Sequence, residues 1–349
     1  MKALRLMDWK SSPELVEVPD PTAGPGQVVI RIGGAGACHS DLHLMHDFEP
    51  GLLPWNPPFT LGHENAGWVH AVGDGVTNVQ IGQPVAVYGP WGCGTCARCS
   101  VGIENYCENP MEAPVPGGGG GLGLDGGMAE YLLVPDARQA VPLPDGLEPV
   151  TAAGLTDAGL TPYHAINRSR HLLAPDATLV AIGVGGLGHV GVQIAKALGA
   201  AQVVAVDVKQ EALDLAVSVG ADHTVTSGES AAEEIRALTG GRGADVVIDF
   251  VGATATIELA RSVARPMSDV TIVGIGGGEV NFSFFTQGYD INLATTYWGT
   301  RPELVELLTL AARGVVRVEH TVYSLDDAAQ AYQDLEAGTV RGRAVVVPS

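Results

Sequence analysis

Thr178-Leu179-Val180-Ala181-Ile182-Gly183-Val184-Gly185-Gly186-Leu187-Gly188 decides the fold. Thr178–Ile182 reads as a buried strand, and Leu187–Leu198 reads as a helix directly after it. Between them lies a G-x-G-x-x-G turn. Gly183 permits the tight bend, Gly185 lets backbone approach a pyrophosphate, and Gly188 lets the helix pack on the strand, with Gly186 and Leu187 completing the loop. A diphosphate there meets the free N–H groups and the positive dipole end of a helix. Asp207 ends a second strand, Gln202–Val206, nineteen residues beyond Gly188. A carboxylate at that point accepts hydrogen bonds from ribose hydroxyls and repels a 2′-phosphate, which selects NAD over NADP. Lys209, two residues on, is a cation that softens the discrimination.

Outward from this motif the chain alternates. A helix is expected over Gln210–Val219, strands over Asp245–Phe250 and Val270–Gly274, and a helical stretch around Thr256–Ala264. Such alternation implies a parallel sheet with right-handed crossovers, a doubly wound α/β unit. After about Asn292 the pattern breaks into helices over Pro302–Arg313 and Asp326–Ala337 and a last strand, Ala344–Val347. The first 150 residues are β-rich instead, with Val28–Ile32, Gly67–Val72 and Gln83–Tyr88 set between Gly, Pro and Asp clusters. A nucleotide domain inserted into a catalytic domain explains this order. The expected division is 1–153 with 294–349 for the catalytic part and 154–293 for the nucleotide part. Gly117–Gly127, nearly all glycine, reads as a flexible surface loop, although its place before the Met128–Val134 strand also allows it to line a cleft.

Of the five cysteines, four fall in Cys93-x2-Cys96-x2-Cys99-x7-Cys107. Paired knuckle turns of this kind point sulfurs at one ion. Four thiolates with no open position describe a structural tetrahedral zinc in a lobe over about 90–110, and an iron–sulfur cluster is the competing reading. An odd cysteine count without a secretory leader favours a reducing, cytoplasmic setting. No apolar run approaches the length of a membrane span. The formal net charge of −20 would repel a phosphate backbone, which makes nucleic acid a poor partner.

Cys38 and His63 stand outside the cluster, in Cys38-His39-Ser40-Asp41-Leu42-His43 and Gly62-His63-Glu64-x2-Gly67-x5-Gly73-x2-Val76. Alone, each is more often a core residue. Together with the glycine turn and the four-cysteine lobe, in this order, they resemble the zinc-dependent medium-chain alcohol dehydrogenases, and bacterial secondary-alcohol dehydrogenases in particular. The resemblance covers essentially the whole chain. It implies a GroES-like β-rich catalytic domain carrying a Rossmann domain, two zinc ions per chain, NAD, and a homo-oligomer, either dimer or tetramer.

Carried over by position, Cys38, His63 and Asp157 match catalytic zinc ligands, Asp157 standing where many relatives have cysteine. Glu64 matches a nearby carboxylate, and either it or water would fill the fourth position. Ser40, two residues from Cys38, is placed to take the substrate proton. The resemblance implies that His43 passes it to solvent, as the near-neutral titration of imidazole suits. His39 matches a position near the cofactor pyrophosphate, and Arg343 a basic residue that holds the pyrophosphate from the catalytic domain. Trp55, Leu122, Tyr297 and Trp298, with Trp91, match or lie near positions lining the alcohol cleft. Several aromatics suit medium alkyl or aryl secondary alcohols. A polyol dehydrogenase would need more polar partners, and a silent zinc- and nucleotide-binding protein would not need Ser40.

Overall fold

The computed structural model describes residues 1–348. They form two compact units, one of Met1–Leu160, Trp298–Gly314 and Val318 onward, the other of Thr161–Tyr297 and Val315–Arg317. Among the described residues no helix is long and apolar enough to cross a membrane.

The second unit is built on β1 (Thr178–Ile182), β2 (Gln202–Asp207), β3 (His223–Thr226), β4 (Ala244–Asp249), β5 (Ala264–Ile272) and β6 (Asn292–Thr295). Their spatial order is β3-β2-β1-β4-β5-β6, and every neighbouring pair is parallel. The order reverses between β1 and β4, the crevice where open α/β sheets bind ligands. All five residues of β1 are buried, which is why it reads as an apolar run and not as an alternation. Helices α1 (Gly188–Ala197), α2 (Gln210–Ser218), α3 (Ala231–Leu238) and α4 (Thr254–Val263) supply the crossovers. Val180, Ile182, Val204, Val206, Ile235 and Val247 share the core. Three of these elements, β3, α3 and β6, were not expected. β3 fully buries only Val225, so it carries no strong periodic signal, whereas the eight-residue α3 has a clear apolar face that the sequence reading passed over. β5 starts six residues early, because its first half, Ala264–Met267, is not buried.

In the first unit the central strand is Val28–Ala37, antiparallel to Glu64–Val72, Tyr131–Val134 and Arg343–Val347. It outruns the expected Val28–Ile32 through Gly33-Gly34. A Cβ on Gly33 would come within 2.6 Å of the Trp68 ring and 2.8 Å of Pro149, so the glycine marks close packing inside a strand and not its end. The helix Arg301–Ala312 begins with Thr300 accepting from the Glu303 N–H and the Glu303 carboxylate returning to Thr300, a capping box. A further helix, His39–His46, had not been expected, and Ala328–Glu336 forms the last helix.

Gly117–Gly127 is corrected from flexible surface loop to packed segment. Gly118–Gly121 and Gly126–Gly127 are buried. Gly126 N–H donates to Thr60 O at 2.8 Å and Gly127 N–H to Gly62 O at 2.9 Å, approaches that a side chain at either position would block. The glycines serve closeness, which composition alone does not distinguish from flexibility.

Candidate functional site

Strand register assembles the first set of donors. Ala37, the end of the central strand, pairs with Ala344, and Gly36 pairs with Glu64. Cys38, His63, Glu64 and Arg343 therefore gather at one end of three adjacent strands. Asp157 joins them from the end of the short turn Gly154–Thr156. One donor atom from each of Cys38, His63, Glu64 and Asp157 lies within 4.8 Å of the others. Asp157 Oδ2 is 3.9 Å from Cys38 Sγ and 3.4 Å from His63 Nε2. Tetrahedral zinc with ordinary bond lengths spaces S–O and N–O pairs by roughly 3.4–3.6 Å, so Cys38, His63 and Asp157 fit such an ion.

Glu64 is committed elsewhere. Its Oε1 accepts from Ala158 N–H at 2.9 Å and from Arg343 Nη2, and its Oε2 accepts from Arg343 Nε at 2.8 Å. Gly36 leaves the space that the carboxylate occupies, since a Cβ there would collide with it. Burial pushes the Glu64 pKa up against the pull of Arg343. Arg343 itself is 1% exposed, so its expected position at a pyrophosphate is corrected. A guanidinium at the start of the last strand is enclosed, and an enclosed charge needs an opposite one, here Glu64.

His63 is oriented from behind. Its Nδ1–H donates to Asp41 Oδ1 at 3.0 Å, which leaves Nε2 facing Asp157 and Ser40 Oγ, the latter 3.3 Å away. Burial opposes a charged ring, but the charge of Asp41 and hydrogen bonds with Asp157, Asp41 and Cys38 hold its pKa well above the usual range. An environment that favours positive charge at Nε2 also favours a divalent cation there. Trp298 closes one side: its Nε1–H donates to Thr156 O at 2.7 Å, and its ring stands edge-on to His63 at 5.5 Å.

The other expected residues divide. His43 sits on the helix His39–His46, half-buried, with Nδ1 against the Asp47 carboxylate one turn on; His39 is exposed at the start of the same helix. Trp55 packs between Trp9 and Phe59, with ring centroids 5.9 Å and 5.5 Å away, and half-buried Leu122 lies against the same core. Trp91 is buried, with its Nε1–H on Tyr88 O, a structural position. Tyr297 is 39% exposed in the second unit. Sequence reasoning missed Asp41 as the partner of His63, although it lies within the quoted Cys38–His43 stretch.

The second donor set is Cys93, Cys96, Cys99 and Cys107, again within 4.8 Å of one another. Cys93 Sγ and Cys99 Sγ are 3.9 Å apart, close to the roughly 3.8 Å edge of a zinc tetrathiolate. Backbone N–H groups of Cys93, Cys96 and Cys99 point at the sulfurs of Cys107, Cys93 and Cys96. Hydrogen bonds from Thr95 and Cys96 lower the Cys93 thiol to about 6, whereas burial pushes Cys99 up. One ion that deprotonates all four resolves this conflict.

In the second unit Gly183 has φ +86°. Nothing lies within 4 Å of a Cβ built on Gly185, so the loop is open above it, whereas one on Gly188 would strike the Gly183 carbonyl. Leu187 provides no side-chain cap to α1, and the His189 and Val190 N–H groups turn back to the Gly185 and Leu187 carbonyls, so an anion there would be met by the glycine loop and the helix dipole. Asp207 Oδ2 accepts from Val184 N–H at 2.7 Å and Oδ1 from Lys209 N–H at 3.0 Å. The carboxylate thus ties the glycine loop to the end of β2 and keeps further lone pairs for hydroxyl donors. Exposed Lys209 starts α2.

Residues 24–145 match the alcohol dehydrogenase GroES-like domain, and residues 186–313 match the zinc-binding dehydrogenase domain. The NAD-dependent alcohol dehydrogenase of Sulfurisphaera tokodaii is 35% identical over 100% of both chains. The D-arabinose 1-dehydrogenase (NADP(+)) of Saccharolobus solfataricus is 34% identical over 96% of this chain and 93% of its own. The crystal structure of the alcohol dehydrogenase from Aeropyrum pernix superposes with a TM-score of 0.90 at 38% identity, covering 100% of both chains. Matched along its whole length and carrying both cysteine-bearing donor sets, this chain belongs to the zinc-dependent medium-chain alcohol dehydrogenase family.

Proposed function

We propose that this protein is an NAD-dependent alcohol dehydrogenase that interconverts secondary alcohols, alkyl or aryl, with their ketones. The observation that carries this reading is the convergence of Cys38, His63 and Asp157 at zinc-ligand spacing beside Ser40, with Glu64 held off by Arg343. Cys38, His63 and Asp157 would hold the catalytic ion, and the four cysteines of the lobe a structural one. When bound at the first site, zinc supplies Lewis-acid polarisation of an alcohol or carbonyl oxygen.

The chain's own residues supply the rest. Ser40 Oγ, near the His63 Nε2 edge, accepts the hydroxyl proton of the alcohol and releases its own toward His43. His43, backed by Asp47, delivers that proton to solvent. NAD, when bound, would supply the hydride acceptor, so that alcohol and NAD give carbonyl, NADH and a proton. Gly183, Gly185, Gly186, Leu187 and Gly188 would cradle the pyrophosphate, and Asp207 would take the adenosine ribose. Trp298 sets an apolar ring against the His63 ring, which suits an alkyl or aryl substituent nearby. The five free cysteines suit a reducing, cytoplasmic compartment. Exposed aromatics at Phe282, Phe284, Phe285 and Tyr289 support a homo-oligomer.

A second reading, a sugar or polyol dehydrogenase, is favoured by the likeness to the D-arabinose 1-dehydrogenase. A panel of secondary alcohols, primary alcohols and aldoses, followed at 340 nm with NAD and with NADP, separates the two. The expected outcome is the largest kcat/KM for secondary alcohols with NAD. Higher kcat/KM on aldoses would establish the second reading, and preference for NADP would show that Lys209 outweighs Asp207.

A further inference from the structure

Asp41 is a carboxylate with no exposure to solvent, on the helix whose Leu44 and Met45 enter the apolar core that also holds Tyr332 and Leu335. A carboxylate so placed needs donors in place of the water it has lost. Three do so, each from a different part of the chain. Cys38 N–H donates to Oδ2 at 3.1 Å, His63 Nδ1–H to Oδ1 at 3.0 Å, and Tyr332 O–H to Oδ2 at 2.9 Å. Two of the donors belong to residues of the catalytic donor set itself. The third comes from the last helix, Ala328–Glu336, 291 residues away in sequence.

We infer that Tyr332 is a positioning residue for the catalytic metal, acting through Asp41 on the aim of His63. The inference rests on the Cys38/His63/Asp157 site proposed above. Asp41 keeps the proton on Nδ1 of His63 and so leaves the Nε2 lone pair for an ion. It also fixes the peptide that carries Cys38. Both tasks need the carboxylate held in one rotamer, and the Tyr332 hydroxyl supplies the donor that neither ligand-bearing residue can. Burial first, and the neighbouring Asp41 charge second, push the phenol pKa well above its usual value, so the group remains an O–H donor. Phenylalanine fills the same space and removes that donor alone. Asp41 is then left with two donors and is free to turn away from His63.

The test is metal affinity, measured on the folded protein by competition of Zn2+ with a chelator and by the visible spectrum of Co2+ at the same site. Tyr332→Phe is expected to weaken the first-site metal by roughly tenfold to a hundredfold, the usual effect of losing an outer hydrogen-bond partner of a ligand, and to alter the Co2+ bands. Metal in the four-cysteine lobe serves as the internal standard and should not change. Asp41→Asn should weaken the same site further. Leu335→Ala, which opens the same core without touching Asp41, should lower Tm and leave metal affinity unaltered. Unchanged affinity and spectrum in Tyr332→Phe, while Cys38→Ser loses one of two metals, would overturn this inference and leave the site intact. Equal loss in Leu335→Ala would reduce Tyr332 to packing and overturn it as well. A wild-type chain that binds metal only in the lobe would remove the proposed site and this inference together.

Discussion

His43 and Asp47 lie one helical turn apart, and the carboxylate meets Nδ1 of the ring. That contact orients the ring and leaves Nε2 outside the pair, as the proposed proton relay requires. Replacing His43 with glutamine keeps a polar side chain but removes the base. Alcohol oxidation should then slow by roughly tenfold to a few hundredfold, most strongly below neutral pH, where the substrate proton departs least readily. Metal content should hold, because His43 lies outside both donor sets. Ser40→Ala should cost more, since Ser40 Oγ lies nearest the metal edge of His63. A pH–rate profile of His43→Gln that overlays the wild type, with altered substrate preference, would make His43 a pocket residue instead. At this scale the sequence was legible where a residue's chemistry is scarce. Cys38 and His63, each more often a core residue when met alone, stood out because the four-cysteine lobe and the glycine turn follow them in order. Asp41 and Tyr332 were invisible as partners because their meeting depends on a helix 291 residues downstream folding back onto the first. Arg343 was misplaced for a related reason: no local pattern says that its guanidinium faces inward to Glu64.

Elements were legible in proportion to how completely they are buried. β1 and α1 are buried almost throughout and declared themselves through an apolar run and a glycine turn. β3 and β6 are short, with one fully buried residue or none, so tertiary pairing rather than local composition makes them strands. Glycine misled in both directions. Gly33-Gly34 looked like the end of a strand, and Gly117–Gly127 like slack, yet both are places where backbone and rings approach too closely for a Cβ. The four-cysteine lobe is the opposite case, since Ala97–Ser100 is one four-residue helical turn, too short to form unaided. Its fold must therefore come from the ion that joins its sulfurs. Cys96→Ser should release one zinc per chain, measured by elemental analysis. Proteolysis should then cut within residues 93–107 while the Rossmann unit stays resistant. If the variant keeps both metals and remains uncut, the lobe is held by its backbone hydrogen bonds alone.

At the scale of the whole molecule two physical tendencies oppose each other. The net charge of −20 makes copies of the chain repel. Against that, Phe282, Phe284, Phe285 and Tyr289 are exposed at 60%, 72%, 92% and 66% within eight residues, and the rings of Phe284 and Phe285 stand edge to face at 5.3 Å. This segment leads into β6, which among the described residues pairs with β5 alone and forms the edge of its sheet. Exposed aromatics beside an open edge suit a second copy of the same surface, because a two-fold axis lets one edge pair with its equivalent. Association held by apolar burial should survive salt, whereas association held by ion pairs should not. Salt at about 0.5 M should screen the mutual repulsion of the chains and leave the apolar term in place. Sedimentation equilibrium of the wild type should therefore show a dimer or tetramer that tightens as salt rises. Phe284→Glu with Phe285→Glu, which adds charge to the centre of that surface, should shift the population to monomer at micromolar concentration. A wild type that is monomeric at every salt concentration, or an oligomer that salt dissolves, would show that this surface is not where copies meet.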